Sequence, residues 1–177
     1  MSRKRSTILG GVFVGLLVIG LSFWFAGAVT NEDPLWFLRS FNAKADWIVL
    51  YWDGRTSHFF EGDPQYDVLL SAFSQAIARE SGYEGHIALS DEDLQRQRDE
   101  GRFLEFHYSQ PVQVHTRYPF PPARCFFIPL SGEHAARQRV FSGPSDRPRD
   151  GALRLRDDHF ADLIDIAQKT VFGDLSP

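Results

Sequence analysis

WIVLYWDGRTSHFF, residues 47–60, places two runs rich in aromatic and β-branched side chains on either side of Asp53-Gly54. A two-residue Asp-Gly link closes a β-hairpin, because its tight turn needs positive φ at both central positions. The pairing sets Trp52 opposite Arg55 and Trp47 opposite Phe60. The first unit of the folded domain is therefore antiparallel sheet.

Downstream, Gly62-Asp63-Pro64 opens a helix with Asp63 as N-cap and Pro64 at the first helical position, where a missing N–H costs nothing. Tyr66, Leu69, Leu70, Phe73 and Ile77 recur at the spacing of one apolar stripe, with Gly82 as the expected stop. Ser90 to Asp93 carries a capping-box pattern before a short helix, polar over 95–100 and ended by Gly101. This second helix is expected to be superficial.

Arg102 to Ser109 alternates, with Leu104, Phe106 and Tyr108 on one face and Phe103, Glu105 and His107 on the other. Pro111 is expected to break that strand, leaving Val112 and Val114 as a separate extended piece. Tyr118 to Pro122 holds three prolines and reads as a loop, because each proline removes a ladder donor. Arg124 to Leu130 is the next strand. Gln138 to Ser142 and Ala152 to Arg156 flank GPSDRPRD as another hairpin. Asp157 or Asp158 then caps a final helix with Phe160, Leu163, Ile164, Ala167 and Val171 in one stripe. The fold class is α+β: a mostly antiparallel sheet packed with two principal helices.

Upstream of the hairpin, Ile8 to Phe25 holds no charge and no proline, a length approaching the hydrocarbon core of a bilayer at the helical rise. Arg3, Lys4 and Arg5 precede it, while Asn31, Glu32 and Asp33 follow, so the positive-inside bias keeps the N-terminus cytoplasmic and exports the rest. A cleavable signal ending at Ala26-Gly27-Ala28 also exports the rest, but such signals have shorter apolar cores. The organisation is a basic start and transmembrane anchor (or uncleaved signal) over 1–30, a stem over 31–44 and an extracytoplasmic α+β domain over 45–177. The expected location is the cell membrane, single-pass.

The chain's net charge of -4 hides an asymmetry. Three of the 19 bases and no acid precede residue 32, so 16 bases face 23 acids from residue 32 onward, a net of -7. An acidic domain argues against nucleic acid as a partner. The single cysteine, Cys125, excludes an intrachain disulfide and any multi-thiolate zinc site, and its apolar flanks place it in a buried strand.

No phosphate-cradling glycine loop, dinucleotide fingerprint, paired histidines on a helix or nucleophile elbow is present, and no motif names a family. No cofactor and no metal are expected. Glu105 and His107 are the catalytic candidates, two apart on one strand face, where a carboxylate can orient an imidazole. A metal there needs a further ligand, for which His58 and His115 are nominated. Ser131 and His134 are a weaker pair. The segment from Pro119 to Pro122 fits an aromatic groove on a partner or is a plain loop. His86 reads as a surface histidine.

In the late hairpin, a pairing of Ser142 with Gly151 sets Arg139 opposite Arg154 and Arg137 opposite Arg156, with Val140, Leu153 and Leu155 on the other side. Four like charges on one face call for nearby acids or an anionic partner. The leading expectation is thus an envelope protein whose outer domain binds a protein or anionic partner, with Arg137, Arg139, Arg154 and Arg156 as binding residues. The alternative is a small tethered hydrolase or metal-dependent enzyme using Glu105 and His107.

Overall fold

The computed structural model describes residues 3–31, 33–38 and 40–173, so Glu32 lies outside the described residues. Helix α1 (Arg3–Thr30) carries the apolar run. Its 21 residues from Gly10 to Thr30 have a mean hydropathy of 2.3, and no part of the window is buried. At 1.5 Å per residue that is about 31 Å, long and apolar enough to cross a bilayer.

The end of α1 is tied down locally. Asn31 donates from Nδ2 to the Gly27 carbonyl at 2.8 Å, and the Trp36 ring packs against Gly27 where any Cβ would collide. Asp33 accepts from the Leu35 amide at 2.8 Å and meets His115 Nδ1 at 2.9 Å. Ser40 bridges to His115, and Phe41 enters the main core.

The hairpin forms as β1 (Trp47–Trp52) and β2 (Arg55–Phe60), with Trp47 opposite Phe60 and Trp52 opposite Arg55. Asp53 at φ 49 and Gly54 at φ 80 make the turn. Then follow α2 (Pro64–Ile77), β3 (Gly82–Glu84), α3 (Asp91–Asp99), β4 (Arg102–Val112), β5 (Ala123–Pro129), α4 (Gly132–Ala136), β6 (Arg139–Gly143), β7 (Ala152–Arg154) and α5 (Asp157–Phe172). The strands make one sheet in the order β2-β1-β4-β5-β6-β7-β3, with every pairing antiparallel.

One sheet face carries Ile48, Leu50, Leu104, Phe106, Phe126, Ile128, Val140 and Leu153 and is covered by α2 and α5 through Tyr66, Leu69, Phe73, Phe160 and Leu163. The opposite face holds a smaller core of Phe103, Cys125, Phe127, Phe141 and Ala152 under Leu89 and Leu94. The α+β class stands, with the two principal helices on one face and α3 on the other.

Four local expectations are corrected. Helix α2 stops at Ile77 with Ala78 as its cap, and Gly82 instead starts β3 opposite Arg154. Pro111 does not end a strand: β4 runs through it to Val112, with a register shift after His107 that frees this stretch from regular pairing. Arg156, not an aspartate, stands at the N-cap of α5 and makes no side-chain cap bond, while Asp157 and Asp158 occupy the first turn. Helix α3 does form behind Ser90, whose Oγ accepts from the Asp93 amide at 3.0 Å, but it is no mere surface turn, since Leu94 is buried. The proline-rich segment is a loop, anchored by buried Phe120.

Candidate functional site

The register of β1, β4 and β5 assembles the most concentrated polar chemistry on the smaller core face. Trp47 pairs with His107, and His107 with Cys125, so three side chains from three strands share one face in a row. Glu105 lies in the next row, between Val49 and Phe127. His107 Nε2 is 2.9 Å from Glu105 Oε2, and Cys125 Sγ is 3.5 Å from His107 Nδ1 and 3.8 Å from Nε2. From α3, Arg98 Nε donates to Glu105 Oε1 at 2.7 Å. The Trp47 indole stacks on the imidazole, with ring centroids 4.8 Å apart and planes 11° from parallel.

Burial decides what this cluster can do. Glu105 is 2% exposed and Cys125 1%, so the carboxylate persists inside the fold because Arg98 neutralises it and His107 holds its second oxygen. Thiol, imidazole and carboxylate stand in the order of a cysteine-hydrolase relay. However, burial pushes the Cys125 thiol far up, with the nearby Glu105 charge pushing the same way. A buried, protonated sulfur is not an available nucleophile for an acyl substrate.

Sequence reasoning paired Glu105 with His107, and the structure brings them together. The nominated further ligands are elsewhere. His58 is exposed on β2, across Val49 from Glu105, and His115 is engaged with Asp33. Cys125 and Arg98, which sequence reasoning left out, complete the cluster. Cross-strand pairing of the two apolar-flanked runs at 102–109 and 124–130 was the signal for Cys125, but their register could not be read.

Ser131 and His134 do not meet as a pair. Ser131 Oγ accepts from the Arg102 amide at 3.0 Å, while His134 Nδ1 lies 3.0 Å from Arg139 Nη1. Burial, then the Arg139 charge, holds the His134 imidazole below its ordinary range. The unfolded chain therefore binds more protons than the folded one below about pH 6.5, so this residue's contribution favours folding at neutral pH and is lost as pH falls through that window. The urea midpoint of a His134→Gln variant is expected to fall less than the parent's between pH 7 and pH 5. Parallel declines would show that the imidazole has no part in the acid sensitivity.

The late hairpin pairs as expected, with Arg139 opposite Arg154. Its arginines nevertheless do not present four free charges. Arg139 is 6% exposed and donates to Glu84 Oε2 from Nε at 3.0 Å and from Nη2 at 2.7 Å, and Arg154 lies 3.7 Å from the same carboxylate. Arg156 pairs with Asp158 at 3.1 Å, and Arg137 sits at the cap of α4 rather than opposite Arg156 on a strand. His86 is exposed.

On the far side of the main core, α2 and α5 leave between them an open groove of about 470 Å³. Val68, Ala72 and Ile166 give it an apolar lining, and Asp67, Asp162 and Asp165 an acidic rim. Val68 is 37% exposed, an apolar side chain that the helix pair itself does not cover.

No family model matches the chain, and no curated protein matches it in sequence. Its fold is similar to that of YycH from Bacillus subtilis, known as a crystal structure, with 10% identity and a TM-score of 0.49 over 76% of this chain. The chain spans 39% of that protein's length.

Proposed function

We propose that the chain is a single-pass membrane protein with a cytoplasmic N-terminus, whose outer domain binds a basic amphipathic segment of a partner protein in the groove between α2 and α5. The observation that carries the binding role is the groove itself, an apolar lining under Asp67 and Asp162, with Asp165 shared with Lys169 at 2.6 Å, on a domain of net negative charge. An apolar stripe flanked by lysine or arginine answers both features, and charge complementarity speeds its encounter. The apolar helix and the bases at its start supply the anchoring and the orientation. The arginines of the late hairpin favour an anionic partner less, because Glu84 and Asp158 already meet three of them.

The test is a photo-crosslinking amino acid at Val68 in the full chain in native membranes, with Phe60 on the distant edge strand as control and reporter fusions at Asn31 and Pro177 for orientation. A discrete adduct from Val68, mapping to a basic amphipathic segment and lost in the Asp67→Lys/Asp162→Lys variant, is expected. No adduct, or equal adducts from both positions, removes the groove as the binding surface. A cytoplasmic signal from the C-terminal fusion removes the topology.

A further inference from the structure

We infer that Glu105, His107 and Cys125 form a binding site for one thiophilic divalent metal ion of the zinc class. The three side chains offer one carboxylate oxygen, one imidazole nitrogen and one sulfur, all within 4.8 Å of one another. This donor set suits zinc, which takes sulfur at about 2.3 Å and nitrogen at about 2.0 Å in a tetrahedron, leaving those two donors about 3.5 Å apart. His107 Nε2 lies 2.9 Å from Oε2 and 3.8 Å from Sγ, and the sulfur stands 3.5 Å from Nδ1 of the same ring. The sulfur is therefore already near its place. The nitrogen–oxygen contact is a hydrogen bond, and it opens by a few tenths of an ångström when the ion takes Nε2 and the shared proton moves to Nδ1 of the same neutral imidazole.

The surroundings favour the same use. Arg98 occupies Oε1 alone, which fixes the carboxylate and leaves Oε2 directed at the imidazole. The Trp47 ring sets the imidazole plane from one face. The His107 side chain is 16% exposed, so the cluster meets solvent at the imidazole, the side from which an ion and a water ligand would enter. With a thiolate, a carboxylate, a divalent ion and Arg98, the cluster sums to one positive charge, a tolerable load beside solvent. The bound ion takes the place of the thiol proton, so uptake releases that proton to solvent and tightens as pH rises. Three protein ligands with a fourth position open is the pattern of zinc sites that retain a water. This site is separate from the groove between α2 and α5, and either can fail without the other.

Cobalt titration of the full chain in detergent micelles reads the site directly. One equivalent of Co²⁺ is expected to give a thiolate-to-metal charge-transfer band together with intense tetrahedral ligand-field bands, all displaced by Zn²⁺. Cys125→Ser, with unchanged circular dichroism, is expected to lose the charge-transfer band. Arg98→Lys, acting through Glu105, should weaken Zn²⁺ binding about 10–100-fold while keeping the band. If Cys125→Ser does not fold, the unmodified chain decides instead: stoichiometric Zn²⁺ should slow alkylation of Cys125 in mild denaturant. Absence of the band from the parent chain overturns the site, as does a band that survives Cys125→Ser or alkylation indifferent to zinc. Any of these leaves the cluster as a closed Arg98–Glu105–His107 network.

Discussion

Phe126→Ala is expected to destabilise the domain by about 3–5 kcal/mol, the usual range for emptying an aromatic site in a core. Phe126 is fully buried on the central strand β5, and its ring meets Phe41 at 5.5 Å, Phe73 at 5.3 Å, Tyr108 at 5.7 Å and Phe120 at 6.3 Å between centroids. These neighbours come from the segment after α1, from α2, from β4 and from the proline-rich loop, so one truncation loosens four separate pieces of chain. They are held in place by other contacts, the Phe73–Phe106 stack at 4.1 Å among them, and cannot all collapse into the space. Against a typical folding free energy of about 5–15 kcal/mol, the loss should lower the urea midpoint sharply. A midpoint within error of the parent would mean that the ring cluster is not the centre of the domain.

The elements that organise this cluster were legible in the sequence because each carries its own local signal. The Asp53-Gly54 turn fixed the register of the first hairpin, and the apolar stripes of α2 and α5 identified the faces that bury Leu69, Phe73 and Leu163. Strand β3 carried no such signal: three residues led by Gly82 become a strand only by pairing with β7, far along the chain. The same limitation hid the polar cluster. No tight turn joins β4 to β5, so nothing local sets His107 opposite Cys125. Helix α3 looked dispensable because periodicity counts apolar residues alone, whereas its most consequential contact is Arg98 on a buried carboxylate. The arginine pattern misled for the complementary reason. Alternation located Arg139 on the correct face, but the acid that neutralises it, Glu84, lies on the unread strand β3.

Arg98→Ala is expected to cost about 3 kcal/mol, the lower end for removing one partner of a buried ion pair, since Arg98 keeps 22% side-chain exposure. Most of that loss is the penalty of leaving Glu105 charged at 2% exposure, not the worth of the attraction itself. The second substitution separates these. Glu105→Gln removes the charge, yet its amide still offers a hydrogen-bond partner to His107 Nε2 in either tautomer. Combined as Arg98→Met/Glu105→Gln, the pair should recover more than half of the stability that Arg98→Ala loses, because the methionine stem retains the packing of the arginine chain over β4. A cycle in urea made from Arg98→Met, Glu105→Gln and the double variant gives the coupling free energy. Single effects that add without coupling would show that α3 stabilises the sheet by covering it, with the guanidinium incidental. Strong coupling would instead identify Arg98 as the residue that makes a carboxylate tolerable beneath α3, and so as the condition for any chemistry at Glu105, His107 and Cys125.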